Sequence, residues 1–183
     1  IGRAVTEAEQ TLAPSHHQTV RALHLRSQVH RMRGRAQEAS ADADRILPIV
    51  RGRIDASDDG PYDLVILLAH RAQLSMDLGA HADGEKFALE CVAVAEARLP
   101  ESEPERVSCA MVLALAYRHA GKFDLGLASA ENAYRQTLVA FGTDKPHRRK
   151  IEARVIYGRA LADHGELARG LAEIEAAVAE SRA

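Results

Sequence analysis

Apolar residues along this chain recur three and four positions apart, as in Val107, Met111, Ala114 and Leu115, or Ala39, Ala43 and Ile46. That spacing gathers them on one face of a helix. No stretch shows the apolar-polar alternation of a half-buried strand. The periodicity predicts nine helices, over about 1–13, 16–33, 35–54, 61–78, 80–99, 104–120, 122–141, 146–164 and 166–182. Short polar connectors, "ASDDG", "PESE" and "GTDK", separate them in pairs. Pro48, inside the third, removes a backbone donor and predicts a kink or break there.

The helices follow a repeat. A glycine followed five residues later by a small residue opens "GRAQEA" at Gly34, "GAHADG" at Gly79, "GKFDLG" at Gly121 and "GELARG" at Gly165. Prolines 14, 61, 104 and 146 precede those glycines by about one helix length. Proline suits a first helical turn, where its missing donor is not needed. Each unit therefore reads as two antiparallel helices: proline opens the first, and the glycine ends it in a left-handed conformation. The second glycine of the third unit, Gly126, is expected to let the second helix approach the first closely.

Units of 42 to 45 residues built this way resemble the tetratricopeptide repeats, in the longer variant found in kinesin light chains and many bacterial proteins. In the third unit Leu113-Ala114, Tyr117, Gly121-Lys122-Phe123, Gly126, Ala130 and Ala133 match the pattern. In the fourth, Tyr157-Gly158, Leu161, Gly165, Gly170 and Ala177 do so, after a connector "FGTDKPH" like the loop between such repeats. The first two units depart: Arg26 and Arg71 stand at the large apolar position, and His30 and Ser75 at the aromatic one. The resemblance implies an all-α, α-α superhelix, a right-handed solenoid of stacked antiparallel helix pairs. One domain would cover 1–183, with a half repeat over 1–14 and repeats over about 15–57, 58–102, 103–144 and 145–183.

Composition narrows the chemistry. Aromatics make up 4% of the chain and tryptophan is absent, so the cores must be built from Ala, Leu and Val. A formal charge of -2 gives no global field toward nucleic acid or membrane. The longest apolar runs are far shorter than a bilayer span, and no membrane insertion is expected. The chain opens on Ile1 without a leader pattern and reads as an excerpt of a longer protein. Cys91 and Cys109 lie in apolar stretches and are expected to be buried structural thiols.

Among nine histidines no two stand three or four apart, and neither HExxH nor CxxC occurs, so no metal or cofactor is expected. There is no G-x-S-x-G elbow, and "GKFDLG" lacks the Ser or Thr of a phosphate loop. The expectation is therefore a non-enzyme. Arginines 21, 26, 31, 33, 35, 45, 51 and 53 share their segment with only Glu38, Asp42 and Asp44. That cluster is read chiefly as a solvated helical surface and, in the second place, as an anion-attracting patch, without the stacking aromatics of a nucleic-acid interface.

The resemblance also implies that the first helix of each pair lines a concave groove. Projected onto this chain, the lining is Arg21, His24, Gln28 and Arg31; Ile66, Gln73 and Met76; Ser108, Met111, Leu115 and Arg118; and Val155 and Arg159. Arginines beside apolar residues suit a protein or peptide partner of acidic-hydrophobic character. The Lys/Asn set of the carboxylate-clamp variety, which holds chaperone C-termini, is not reproduced. The expected setting is a repeat region of a larger cytoplasmic bacterial regulatory or signalling protein, such as a serine/threonine kinase or transcriptional regulator. The alternative is a spacer or homo-oligomer assembled through exposed terminal repeats ending at Ile1 and Ala183.

Overall fold

The computed structural model describes residues 2–182 apart from positions 14, 57 and 144, and excludes the side chains of 2–5 and 9. Within it the chain forms nine helices and no strand: α1 (Gly2–Thr11), α2 (His17–Met32), α3 (Ala36–Arg51), α4 (Gly60–Asp77), α5 (His81–Arg98), α6 (Pro104–His119), α7 (Phe123–Phe141), α8 (Arg148–Asp163) and α9 (Leu167–Glu180). Consecutive helices pack on one another, and α4, α6 and α8 also lie side by side, giving an all-α superhelix of stacked pairs.

The unit glycines behave as the sequence requires. Gly34, Gly79, Gly121 and Gly165 all have positive φ, between 71° and 102°, where a side chain would be strained. At Gly121 the following Lys122 N–H reaches back to Tyr117 O at 2.8 Å, satisfying an end carbonyl of α6.

The prolines differ from expectation in two ways. Pro48 does not break α3; it sits in the last turn, and the Gly52 N–H still bonds to Pro48 O at 3.1 Å. Only the Asp44 carbonyl loses its regular donor, a small cost so close to the helix end. Proline opens α4 and α6, but α2 and α8 begin on a histidine N-cap instead. His16 Nδ1 accepts from Gln18 N at 3.3 Å, and His147 Nδ1 from Arg149 N at 3.2 Å. Pro14 itself lies outside the described residues.

The core is a spine of Leu, Val and Ala running from Leu23 to Ala116, continued by smaller Ala-rich clusters around Ala133, Ala153 and Ala160. Cys91 and Cys109 are fully buried in it, but not as separate thiols: they form a disulfide between α5 and α6. Each cysteine looks like a small hydrophobe in sequence, and only the packing of α5 on α6 brings the two together.

Candidate functional site: a groove along the first helices

Three adjoining hollows run along the face made by α2, α4, α6 and α8. The largest, about 610 Å³, opens between α2 and α4. Its rim carries Arg21, His24 and Gln28 from α2 and Tyr62, Asp63 and Ile66 from α4. Ile46, Val50 and Leu67 form its apolar floor. It exists because α2 and α4 barely touch. The start of α4 is pinned instead to the turn after α3: a Cβ on Gly60 would stand 2.6 Å from the carbonyls of Arg53 and Ile54.

Gln28 and Ile66 also border the second hollow, about 340 Å³, where Gln73 faces Ser108, Met111 and Leu115 across α4 and α6. Leu115 continues into a narrow cleft with Arg118, Ile156, Arg159 and Asp163. The groove thus joins eleven of the thirteen projected residues, once Arg31 is counted through its bonds to Gln73 and Asp77. Met76 is placed elsewhere, 8% exposed, with its Cγ against the backbone of Gly84 under α5. Val155 is half-buried and borders none of the three hollows; on α8 the groove register runs Arg149, Glu152, Ile156 and Arg159.

Charge in the groove is mixed rather than basic. Asp59, Asp63, Glu105, Glu152 and Asp163 line it as well. Two of the projected arginines already hold carboxylates of the next unit: Arg31 Nε bonds to Asp77 Oδ2 at 2.6 Å, and Arg118 Nε to Asp163 Oδ2 at 2.5 Å. Both pairs use the same register, an arginine three residues before one unit glycine and an aspartate two before the next. Three of the eight arginines in the arginine-rich segment are paired with carboxylates. Arg26 bonds to Asp42, Arg31 to Asp77 and Arg51 to Glu90, so two of its acids come from outside the segment. A tally within the segment could not find them.

A polar network lies behind the largest hollow. Ser27 Oγ donates to Ala39 O at 2.6 Å and stands 2.8 Å from His70 Nε2. A hydroxyl has one proton, so His70 Nε2–H is the donor in the second bond. His70 therefore does not act as a base toward Ser27, and the pair is structural. Burial first, then the nearby His24, Arg31 and Arg71, depress His70 to about 3. The Gln28 amide donates to His24 Nε2 at 3.2 Å. Burial lowers the His24 pKa, with Asp63 opposing. Asp63 is raised by burial and then by Asp59, while His24 and Arg53 pull it back. Among the described residues no group of three His, Cys, Asp or Glu side chains could hold a metal, and no helix is long and apolar enough to cross a membrane.

The sequence matches no family model and no curated protein. Solved structures do resemble it. BtubC (BKLC) from P. vanneervenii aligns with a TM-score of 0.79 at 16% identity, over 99% of this chain and 70% of that one. A putative kinesin light chain from Podosopora anserina with nearly identical TPR-like repeats aligns at 0.74 and 18%, over 98% and 84%. The apo form of RapI aligns at 0.75 and 10%, over 94% of this chain and 58% of that one. Glycine-ended first helices, stacked antiparallel pairs and these alignments over nearly the whole chain give the protein the TPR-like repeat fold seen in kinesin light chains.

Proposed function

We propose that the protein is a non-catalytic binding scaffold whose first-helix groove receives a peptide segment of a partner protein. The observation that carries this reading is the continuity of the groove: Gln28 and Ile66 join the first hollow to the second, and Leu115 joins the second to the third. Ile66, Met111, Leu115 and Ile156 offer apolar contact along it. Arg21 and Arg159, both exposed, stand near its two ends and suit acidic residues flanking an apolar stretch. In this reading residues 1–183 act as one solenoid domain with repeats over about 15–57, 58–102, 103–144 and 145–183. The cytoplasmic, bacterial and regulatory setting belongs to the same proposal and follows from the repeat resemblance.

A second reading, self-association, is favoured by one observation: Leu167, Leu171 and Val178 are exposed along one face of α9. A random-peptide library selected against the chain separates the two. The scaffold reading expects peptides rich in Asp or Glu beside Leu, Ile or Phe, losing about tenfold in affinity with Ile66→Glu or Leu115→Glu and nothing with Leu171→Glu. Failure to select peptides, together with a dimer that Leu171→Glu dissolves in light scattering, would replace it with the self-association reading.

A further inference from the structure

The disulfide occupies a position that the repeat defines. Each junction between units buries the residue twelve after one unit glycine with the residue twelve before the next. Between the first and second units these are Ile46 and Leu67, each 1% exposed and in one buried cluster. Between the third and fourth they are Ala133 and Ala153, each 0% exposed and again in one cluster. Between the second and third they are Cys91 and Cys109, each 0% exposed, with Cα atoms 5.5 Å apart.

The flanking junctions close at this position by apolar packing alone, and a reduced cysteine packs as a small hydrophobe. The middle junction can therefore close with or without its covalent bond. We propose that Cys91–Cys109 is a redox-controlled staple, fixing the middle seam of the solenoid when oxidised and leaving it held by packing alone when reduced.

The exchange balances with a dithiol as reductant. One thiolate attacks a protein sulfur, the S–S bond breaks, and a mixed disulfide forms; the second thiolate of the reductant displaces that sulfur and closes its own disulfide. Two electrons and two protons reach the cysteines. Oxidised glutathione reverses the process in two exchanges, releasing two molecules of glutathione. Both protein sulfurs are shielded, so exchange requires local opening of α5 from α6.

The staple also bears on the groove, because α6 carries Cys109 beside the groove residue Ser108. That consequence rests on the scaffold reading; the staple itself does not, and its test uses no peptide. The full chain is equilibrated with oxidised glutathione or with dithiothreitol, alkylated in guanidinium and weighed intact. The oxidised sample is expected to take no alkyl group and the reduced sample two. Closing an 18-residue separation should raise the oxidised melting temperature by about 6–12 °C over the reduced form. Cys91→Ala/Cys109→Ala, which copies the Ala133/Ala153 junction, should melt like the reduced wild type and ignore the redox buffer. Alkylation or glutathione adducts at both cysteines after oxidation, or equal melting of the two wild-type forms, would overturn the staple. Should the double variant not fold, the wild-type comparison still decides.

Discussion

The first unit and the last are built from the same repeat and differ in how closely their helices approach. In the first, α2 meets α3 and α4 through polar groups: Arg26 on Asp42, and Ser27 between Ala39 O and His70. In the last, α8 and α9 meet backbone to backbone at Gly158 and Gly170, with Arg154 on Glu173 and Lys150 on Glu180 beside that contact. His70 borders the 340 Å³ hollow, and the 610 Å³ one opens next to it at His24 and Gln28. The glycines abolish room between α8 and α9, and on the neighbouring face α6 and α8 leave only a narrow cleft. Open space along this solenoid follows how closely the helices approach at each seam, while the repeat sets only where the seams are.

The largest expected effect comes from removing the backbone contact. A Cβ on Gly170 would lie 2.4 Å from Gly158 O and 3.0 Å from Ala162 N, and backbone atoms cannot step aside as a side-chain tip can. Gly170→Ala should therefore cost about 3 kcal/mol, despite the better helix propensity of alanine, as read from urea unfolding. Unchanged stability would show that α8 and α9 separate freely, and the contrast between the two ends would fall with it.

The polar end should reveal itself through pH. Since His70 is held at about 3 in the folded chain against 6.5 in the unfolded one, the unfolded state binds the extra proton between those values. Stability is then complete above pH 6.5 and falls as the solution is acidified, by about 2 kcal/mol between pH 6.5 and 5 for one such group. The lowered His24 acts in the same direction. His70→Leu leaves Ser27 bonded to Ala39 O and should flatten the acid limb of a melting-temperature series from pH 5 to 8. An equally steep limb in the variant would assign the acid sensitivity to other groups.

Much of this was legible in the sequence, for identifiable reasons. The unit glycines announce themselves because only a left-handed turn makes glycine worth its entropy at a helix end. All nine helices follow from apolar spacing, whereas the projected groove residues came from the repeat resemblance, and eleven of the thirteen line or adjoin the three hollows. Met76 and Val155 stray from the groove because neighbours in three dimensions, Gly84 for Met76, decide which side of a helix a partly apolar residue faces. The ion pairs of Arg31 and Arg118 join residues 46 and 45 positions apart, and the disulfide joins two helices; neither leaves a local trace. The mixed charge of the groove was legible in principle, because Asp63, Glu105 and Glu152 stand three or four residues from Ile66, Ser108 and Ile156 on the same helices.

The smallest expected effect tests whether a glycine at this position always means contact. Gly126 stands five residues after Gly121, as Gly170 does after Gly165, and the sequence invites the same reading for both. The structure separates them. A Cβ on Gly126 would meet Ala114 O at 3.6 Å and Arg118 N at 3.7 Å, ordinary van der Waals distances. Gly126→Ala should therefore be tolerated, and the helix propensity gained at an interior position of α7 should stabilise the chain by about 0.5–1 kcal/mol. Urea unfolding of Gly126→Ala beside Gly170→Ala gives opposite signs if seam filling, rather than the repeat pattern, decides how closely two helices approach. A loss at both positions would mean that α6 and α7 are already as tightly closed as α8 and α9, and that the pattern alone fixes the spacing.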